Sequence, residues 1–526
     1  MKKVIIYLLF TLLLWVSIKN QVCAKYKSEN QNDSISITAI LSPGLQELTD
    51  SAAFIRIMVS EHPFNSLHMA RLPSVKYIKE RLLGCGNINI RFSATRHFYY
   101  MNIALAVPGK IGNIIYTYYN VYVLEKGTSV KMYVDENNTY FKGEGAVKLN
   151  LQFDLFNKKG VADDAQTIGL MREGKYQAAF ERWDSLDKEM CLKKMNIVKS
   201  HKFLLGNDIY NILSASCLSQ HFSAIFSNMR GILMAQWKSG RVDSLFEYYL
   251  RKYFRTDADS LFADIPKKYL LYTPLYTEYL YEKSYMNSQI LLNLRKSSYV
   301  EMNLELLLSN EKQLFESQDI KRQLYLLTFL VFKDIRPEIK TIMDADSRTI
   351  FGSSIYGKLY KNINLQNRPG KPFYDFQLMD SSGRIYHKGD FDGKLVIMDF
   401  WFTGCENCIV MQPAMERIIN AYKDNPLVVF VTISIDSDFN VWKKSIKQGL
   451  YTHTGELNLY TEGKGNMHSL IKRYMISAYP RIMIMLNGKL YKSSVPAPRA
   501  GVSDSSVNLA NSIQNGLKDL LMTKDK

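Results

Sequence analysis

Cysteine is scarce here, six residues in a chain of 526, which is too few for a fold held together by disulfides. Histidine is as sparse, with eight residues. Beside Cys405 and Cys408 there is no second Cys-x-x-Cys and no His-x-x-x-His pair, and His387, His453 and His468 lack ligand-like spacing. A structural zinc takes about four ligands, so no metal site is expected. Long apolar runs are missing too. After Ile18 no stretch reaches eighteen uninterrupted apolar residues, against the ~20 that a spanning helix needs, so the mature chain is expected to be soluble. Acidic residues fall short of basic ones, 50 against 67, giving a net charge of +17. The basic residues are scattered and no DNA- or RNA-binding motif accompanies them, so nucleic acid is not an expected partner. A solvated basic surface, or weak attraction to anionic envelope components, accounts for the charge.

What is present is an apolar run that leads straight into two cysteines, from Val396 through Ile397, Met398, Asp399, Phe400 and Trp401 to Cys405 and Cys408. Ile397 to Trp401 reads as a buried strand and Glu406 to Ile418 as a helix, so Cys405 falls where a strand turns into a helix N-terminus. The thiolate is the nucleophile toward a disulfide, and the free N–H groups and dipole of a helix start favour it. Cys408, one turn later, is placed to resolve a mixed disulfide. Asp399 is a carboxylate inside an apolar strand, costly to bury without a purpose; the other reading puts it at a strand end facing solvent. Leu427 to Asp436 reads as a central buried strand, and Asn487-Gly488 as a two-residue hairpin turn. Pro480 stands just before an apolar run, where its missing N–H is tolerated.

Together these motifs resemble the thioredoxin-fold domains of the TlpA/ResA type over residues of about 369 to 526. The carrying segments are Pro372 to Gly383, Asp392 to Trp401, the Cys405–Cys408 pair, Pro413 five residues after Cys408, and Ile476 to Met485. The resemblance implies an α/β thioredoxin fold and thiol–disulfide exchange with protein or peptide partners, fed by an unidentified upstream electron donor, with no cofactor. It implies that Asp399, six residues before Cys405, shuttles a proton to and from Cys408 with a raised pKa. It also implies a cis Tyr479–Pro480 bond beside Cys405, with Trp401, Tyr479 and Pro480 shaping the substrate groove. One departure matters. Met411 stands where many ResA-type domains carry a glutamate, so that residue's acid–base role has no counterpart at this position. Glu406 and Asn407 lie between the cysteines, and a negative neighbour disfavours the thiolate, which points to a reductant or isomerase rather than an oxidant.

The rival chemistry is a peroxiredoxin-like peroxidase, but Phe402 occupies the position three residues before Cys405 where a peroxidatic site wants threonine. A third reading makes the N-terminal portion an interaction module with a vestigial redox domain, which the intact cysteine pair disfavours. Met1-Lys2-Lys3, the apolar Val4 to Ile18 and the small-residue site ending at Ala24 read as a secretory signal peptide, placing the protein in the periplasm or cell envelope. Cys23 lacks the preceding pattern that lipidation requires.

The expected architecture is multidomain. Residues 25–150 carry short strands that suggest a small β-sandwich-like domain. Residues 151–364 have helical periodicity, and residues 365–526 form the thioredoxin-like domain. Met171 to Trp183 looks like one tetratricopeptide-type helix, although no 34-residue repeat continues from it. The tyrosine-rich run from Tyr269 to Tyr281 is either core or an aromatic binding face. Cys191 and Cys217 are either bridged or inert buried thiols. Asn362 to Lys371 is the expected linker.

Overall fold

The computed structural model describes residues 34–524 apart from 47–53, 70, 73–74, 82–86, 109–112, 136–137, 158–163, 239–247, 249–251, 254–261, 294–300, 314–316, 334–335, 337, 477 and 500–502. The signal-like residues 1–24, and with them Cys23, lie outside the described residues, as does Cys85.

Eight strands come first: β1 (Ser34–Leu41), β2 (Phe54–Ser60), β3 (Lys76–Arg81), β4 (Ile88–Ser93), β5 (Phe98–Pro108), β6 (Asn113–Glu125), β7 (Ser129–Val134) and β8 (Thr139–Glu144). They form two four-stranded sheets, ordered β4-β1-β7-β8 and β3-β2-β5-β6. Strict alternation dictates which face is buried. In β1 every second residue, Ile35, Ile37, Ala39 and Leu41, turns inward, and in β4 Ile88, Ile90 and Phe92 do the same. Helix α1 (Ala146–Phe156) follows directly and reaches both sheets. Its Gln152 side chain accepts from the Val123 N–H at 2.7 Å and donates to the Val123 carbonyl at 3.0 Å. Two residues earlier, Asn150 does the same to Phe141, at 2.7 and 3.0 Å.

The chain then turns helical: α2 (Ala165–Arg172), α3 (Tyr176–Ser200), α4 (Lys202–Lys238), α5 (Pro274–Asn293), α6 (Leu304–Gln313), α7 (Gln318–Phe332), α8 (Glu338–Phe351) and α9 (Ile355–Gln366). Met171 to Trp183 is not one helix as expected. Gly174, at φ 75°, makes a left-handed turn that ends α2 and lets α3 begin at Tyr176. The tyrosine-rich run is mostly core, with Tyr269, Tyr276, Tyr279 and Tyr281 buried and Tyr272 exposed. Cys191 and Cys217 are buried and unbridged, the Cys191 Sγ lying 3.5 Å from the Cys217 carbonyl oxygen. One hydrophobic cluster runs from Ile35 in β1 to Ile363 in α9 and also takes in Met475 of the C-terminal unit. The change from strands to helices falls at Gly145, between β8 and α1, and lies within a shared core.

Helix α9 continues to Gln366, so the expected linker is helical over its first half. Its second half is pinned: the Gly370 N–H donates to the Leu490 carbonyl at 2.7 Å, and the Leu490 N–H to the Lys371 carbonyl at 2.8 Å. Beyond it lie β9 (Gln377–Asp380), β10 (Ile385–His387), β11 (Leu395–Trp401), α10 (Glu406–Tyr422), β12 (Val428–Ser434), α11 (Phe439–Gln448), β13 (Leu457–Tyr460), α12 (Ser469–Tyr474), β14 (Arg481–Leu486), β15 (Lys489–Val495) and α13 (Ser503–Lys524). The strands form one seven-stranded sheet, ordered β10-β9-β13-β12-β11-β14-β15. Strand β11 is central, parallel to β12 and antiparallel to β14, and all seven of its residues are buried. Burial on both faces explains its unbroken apolar character. Val396, Met398 and Phe400 pack with Leu470, Ile471 and Tyr474, whereas Leu395 and Ile397 pack with Met411 and Met415 of α10 and Leu509 and Ile513 of α13. Asn487 and Gly488, at φ 47° and 68°, turn β14 into β15 as their sequence requires.

Candidate redox site

The site grows from the end of β11. After Trp401 the chain leaves the sheet through Phe402, Thr403 and Gly404, and Cys405 becomes the N-cap of α10. That exit loop is fastened from two sides. Asp436, just past β12, accepts from the Thr403 N–H at 2.9 Å and the Thr403 hydroxyl at 2.8 Å. The Gly404 N–H donates to the Tyr451 hydroxyl at 2.8 Å, and Gly404 itself holds φ 93°, a conformation that favours glycine. Cys405 and Cys408 form a disulfide, and the Cys405 sulfur accepts from the Cys408 N–H at 3.2 Å. A sulfur anion released at Cys405 by reduction would thus meet a helix-start N–H already aimed at it. Cys405 is 5 % exposed and Cys408 fully buried, so the outer sulfur is the one a partner reaches.

Around the pair stands an aromatic wall. Trp401 stacks on Tyr451 at 4.7 Å between ring centroids, and Trp442 stacks on Tyr460 at 4.8 Å. All four belong to the cluster that contains Cys405 and Cys408, with Phe402 and Tyr479 packed against it. Phe402 and Tyr479 meet edge to face at 5.6 Å. The Tyr479–Pro480 peptide bond is cis. Beneath the pair, Asp399 is 1 % exposed, and neither of its carboxylate oxygens has a hydrogen-bond partner. Strand alternation sets it on the sheet face covered by α10, between Ile397 and Trp401. Burial pushes its pKa well above the ordinary carboxyl range, and the Glu456 carboxylate pushes it further.

Cys405, Cys408, Trp401 and Tyr479 thus converge in one cluster, with Pro480 adjoining Tyr479 and Asp399 lying beneath. Three further contributors were not singled out from sequence: Tyr451, Trp442 and Glu456. Tyr451 and Glu456 belong to a segment between α11 and β13 with no periodic signal, and nothing in local sequence ties it to the cysteines. The ties are tertiary. The Gln412 side chain of α10 donates to the Tyr451 carbonyl at 2.8 Å, and His453 Nε2 lies 3.0 Å from the Gln412 carbonyl oxygen.

A central strand flanked by one parallel and one antiparallel neighbour, with a cysteine pair opening the helix that follows it, is the arrangement of a thioredoxin-like domain. The family model described as thioredoxin-like matches residues 393–489, which confirms that this C-terminal unit is such a domain. Among characterised proteins, the thioredoxin-like protein YneN of Bacillus subtilis (strain 168) is 35% identical over 88 residues, covering 17% of this chain. The match spans 47% of YneN, about half its length. Solved structures similar to this chain include the thioredoxin domain of a thiol-disulfide oxidoreductase from Bacteroides vulgatus, at 23% identity and a TM-score of 0.23, covering 28% of this chain and 96% of that one. A thiol:disulfide interchange protein from a Bacteroides species matches at 24% identity and a TM-score of 0.23, covering 28% of this chain and 90% of the other.

Proposed function

We propose that this protein is an envelope thiol–disulfide oxidoreductase that exchanges disulfides with protein or peptide partners. The observation that carries the reading is the Cys405–Cys408 disulfide at the start of α10, directly after the buried strand β11, whose Asp399 carboxyl is buried without a hydrogen-bond partner. In the reducing direction, the Cys405 thiolate attacks a substrate disulfide, forming a mixed disulfide and releasing one substrate thiolate, which takes a proton from water. Asp399 then passes its own proton outward and takes that of Cys408, which attacks the Cys405 sulfur. The second substrate thiolate leaves, and two electrons have passed from the cysteine pair to the substrate. Tyr479 and Pro480, both half-buried, are the groove against which an extended substrate lies, whereas Trp401, expected from sequence to share it, is fully buried and backs the site from within by stacking on Tyr451. Glu406, exposed between the cysteines, opposes a strongly stabilised thiolate and favours a reductant or isomerase. The dithiol is regenerated by the dithiol of an upstream redox protein. Export rests on the basic start and the apolar Val4 to Ile18, with cleavage after about Ala24.

The test is insulin reduction driven by dithiothreitol, using the mature chain and its Cys405→Ser variant. Activity is expected in the first and not in the second; equal rates would refute the assignment. For location, mass spectrometry of the native protein is expected to find a new N-terminus near Lys25, and a soluble cytoplasmic protein that retains Met1 would refute export.

A further inference from the structure

A buried general base needs somewhere to send its proton, because Asp399 is sealed from water while Cys408 must lose a proton on every cycle. The sheet supplies a direction. Asp399 on β11 pairs in register with Thr432 on β12, and Thr432 pairs with Asn458 on β13. The Thr432 hydroxyl donates to Asn458 Oδ1 at 2.7 Å, so a polar row crosses three strands beneath α10. Glu456 lies two residues before Asn458, which puts it on the same sheet face by strand alternation. Its carboxylate accepts from the His453 N–H at 2.6 Å, and it is half-buried, whereas Thr454 and Gly455 beside it are exposed. The segment is locked to the cysteines through the Gly404–Tyr451, Gln412–Tyr451 and Gln412–His453 contacts described above.

We propose that Glu456 is the outer half of a two-carboxyl proton path: it takes the proton that Asp399 holds, which frees Asp399 to take the proton of Cys408, and it delivers its own to water at the loop of residues 453–455. This rests on the oxidoreductase reading and deepens it. Glu456 touches neither cysteine nor substrate, so it is a positioning residue that acts through Asp399. Burial raises its pKa to about 7, against an ordinary 4.5, so it binds and releases protons at neutral pH. Its charge in turn helps hold Asp399 protonated. The titratable group that interacts with it from β11 is Asp399, its own loop contributes His453, and β12 presents Thr432.

The test uses the reduced mature chain and 5,5′-dithiobis(2-nitrobenzoate) in a stopped-flow instrument. Cys405 attacks first and forms a mixed disulfide; Cys408 then loses its proton, attacks the Cys405 sulfur and expels a second thionitrobenzoate. The second phase is followed from pH 5 to 9 in wild type, Glu456→Gln, Asp399→Asn and the double variant. Glutamine can still accept from the His453 N–H, so the loop geometry is retained. Wild type is expected to show a step near pH 7. Glu456→Gln should lose that step and run about 3- to 10-fold slower at pH 8, less than the roughly 10²–10⁴-fold that a group transferring the proton directly contributes, because Glu456 acts through Asp399. In the Asp399→Asn background the same change should have no effect. A wild-type profile in Glu456→Gln, or a slowing that persists without Asp399, would overturn the relay while leaving the oxidoreductase reading standing. If Asp399→Asn itself leaves the second phase unchanged, the role of Asp399 falls and the relay with it. If all exchange survives Cys405→Ser, the oxidoreductase reading is what fails. A readout on wild type alone guards against misfolding of the variants: infrared spectra with isotope-labelled glutamate should show a carboxyl titrating near 7, and its absence would also overturn the relay.

Discussion

Replacing Asp399 by asparagine should change how stability depends on pH more than it changes stability itself. In the unfolded chain this carboxyl ionises at its ordinary value of 3.8, whereas in the fold burial holds it protonated to much higher pH. Between those two points the unfolded state releases a proton that the native state keeps, so native stability falls as pH rises. The slope is about 1.4 kcal/mol per pH unit, and it stops at the folded-state pKa. Asparagine removes the slope. Near pH 4 both side chains are neutral, and the variant should be level with wild type or lower by roughly 1–3 kcal/mol, the cost of one more buried donor without a partner. Each pH unit above that point should move the comparison toward the variant, so the two curves cross. Hydrogen exchange of the β11 amides, Leu395–Trp401, reads this unit separately from the other core, and comparing both proteins at each pH cancels the intrinsic exchange rate. About tenfold more protection in the variant per pH unit is the expected result. Parallel curves from pH 4 to 8 would show that the buried carboxyl carries no linkage.

Cys408→Ser should leave Cys405 able to attack but unable to release, so covalent partners should accumulate on non-reducing gels; no adducts after incubation with protein disulfides would count against the division of labour. Trp401→Ala removes a fully buried ring stacked on Tyr451, and a loss of about 3–5 kcal/mol is expected from denaturant midpoints. Gly516→Ala would set a methyl 2.7 Å from Leu395 Cδ1, where α13 lies on β11; overpacking should cost roughly 1–3 kcal/mol, and an unchanged melting temperature would refute that close approach. Burial raises the thiols of Cys191 and Cys217 to about 11 and about 12, so iodoacetamide at pH 8 should label neither in the native protein and both in denaturant.

Sequence revealed the redox site wherever chemistry and periodicity fall in one local segment. Asp399, Trp401, Cys405 and Cys408 lie within ten residues on a strand and the helix start that follows, so a period of two and a Cys-x-x-Cys spacing are enough to place them. Pro480 was legible through its position before an apolar run. Glu456 was not, because its role depends on β13 pairing with β12 in a register that puts Asn458 beside Thr432, and no local pattern encodes that pairing. Tyr451 was hidden likewise, since its hydroxyl serves Gly404, 47 residues away in the chain. In the first half, the strict alternation of β1 and β4 is plain in the sequence, whereas the single apolar run of β2 and the charged β3 give weaker signals. Helix α2 merged with α3 in the sequence reading because the turn at Gly174 interrupts the helical spacing by only three residues.

Helix α1 has a consequence for how the first two sheets avoid sticking to other molecules. In their orders β8 and β6 are terminal strands, and a terminal strand offers a row of unused N–H and C=O groups to any passing extended chain. Asn150 and Gln152 each present a carboxamide, the same donor and acceptor pair as a peptide group, and each occupies one such vacancy, at Phe141 and Val123. Two side chains on one helix thereby act as decoy peptide groups, each occupying a position on one rim of each sheet, the β8 rim and the β6 rim. Changing Gln152 to glutamate would keep the acceptor and set a negative charge against the Val123 carbonyl, and changing it to leucine would lose both bonds; either substitution unplugs the rim. The expected outcome is concentration-dependent strand pairing between copies, so α1 guards solubility as well as joining the two sheets.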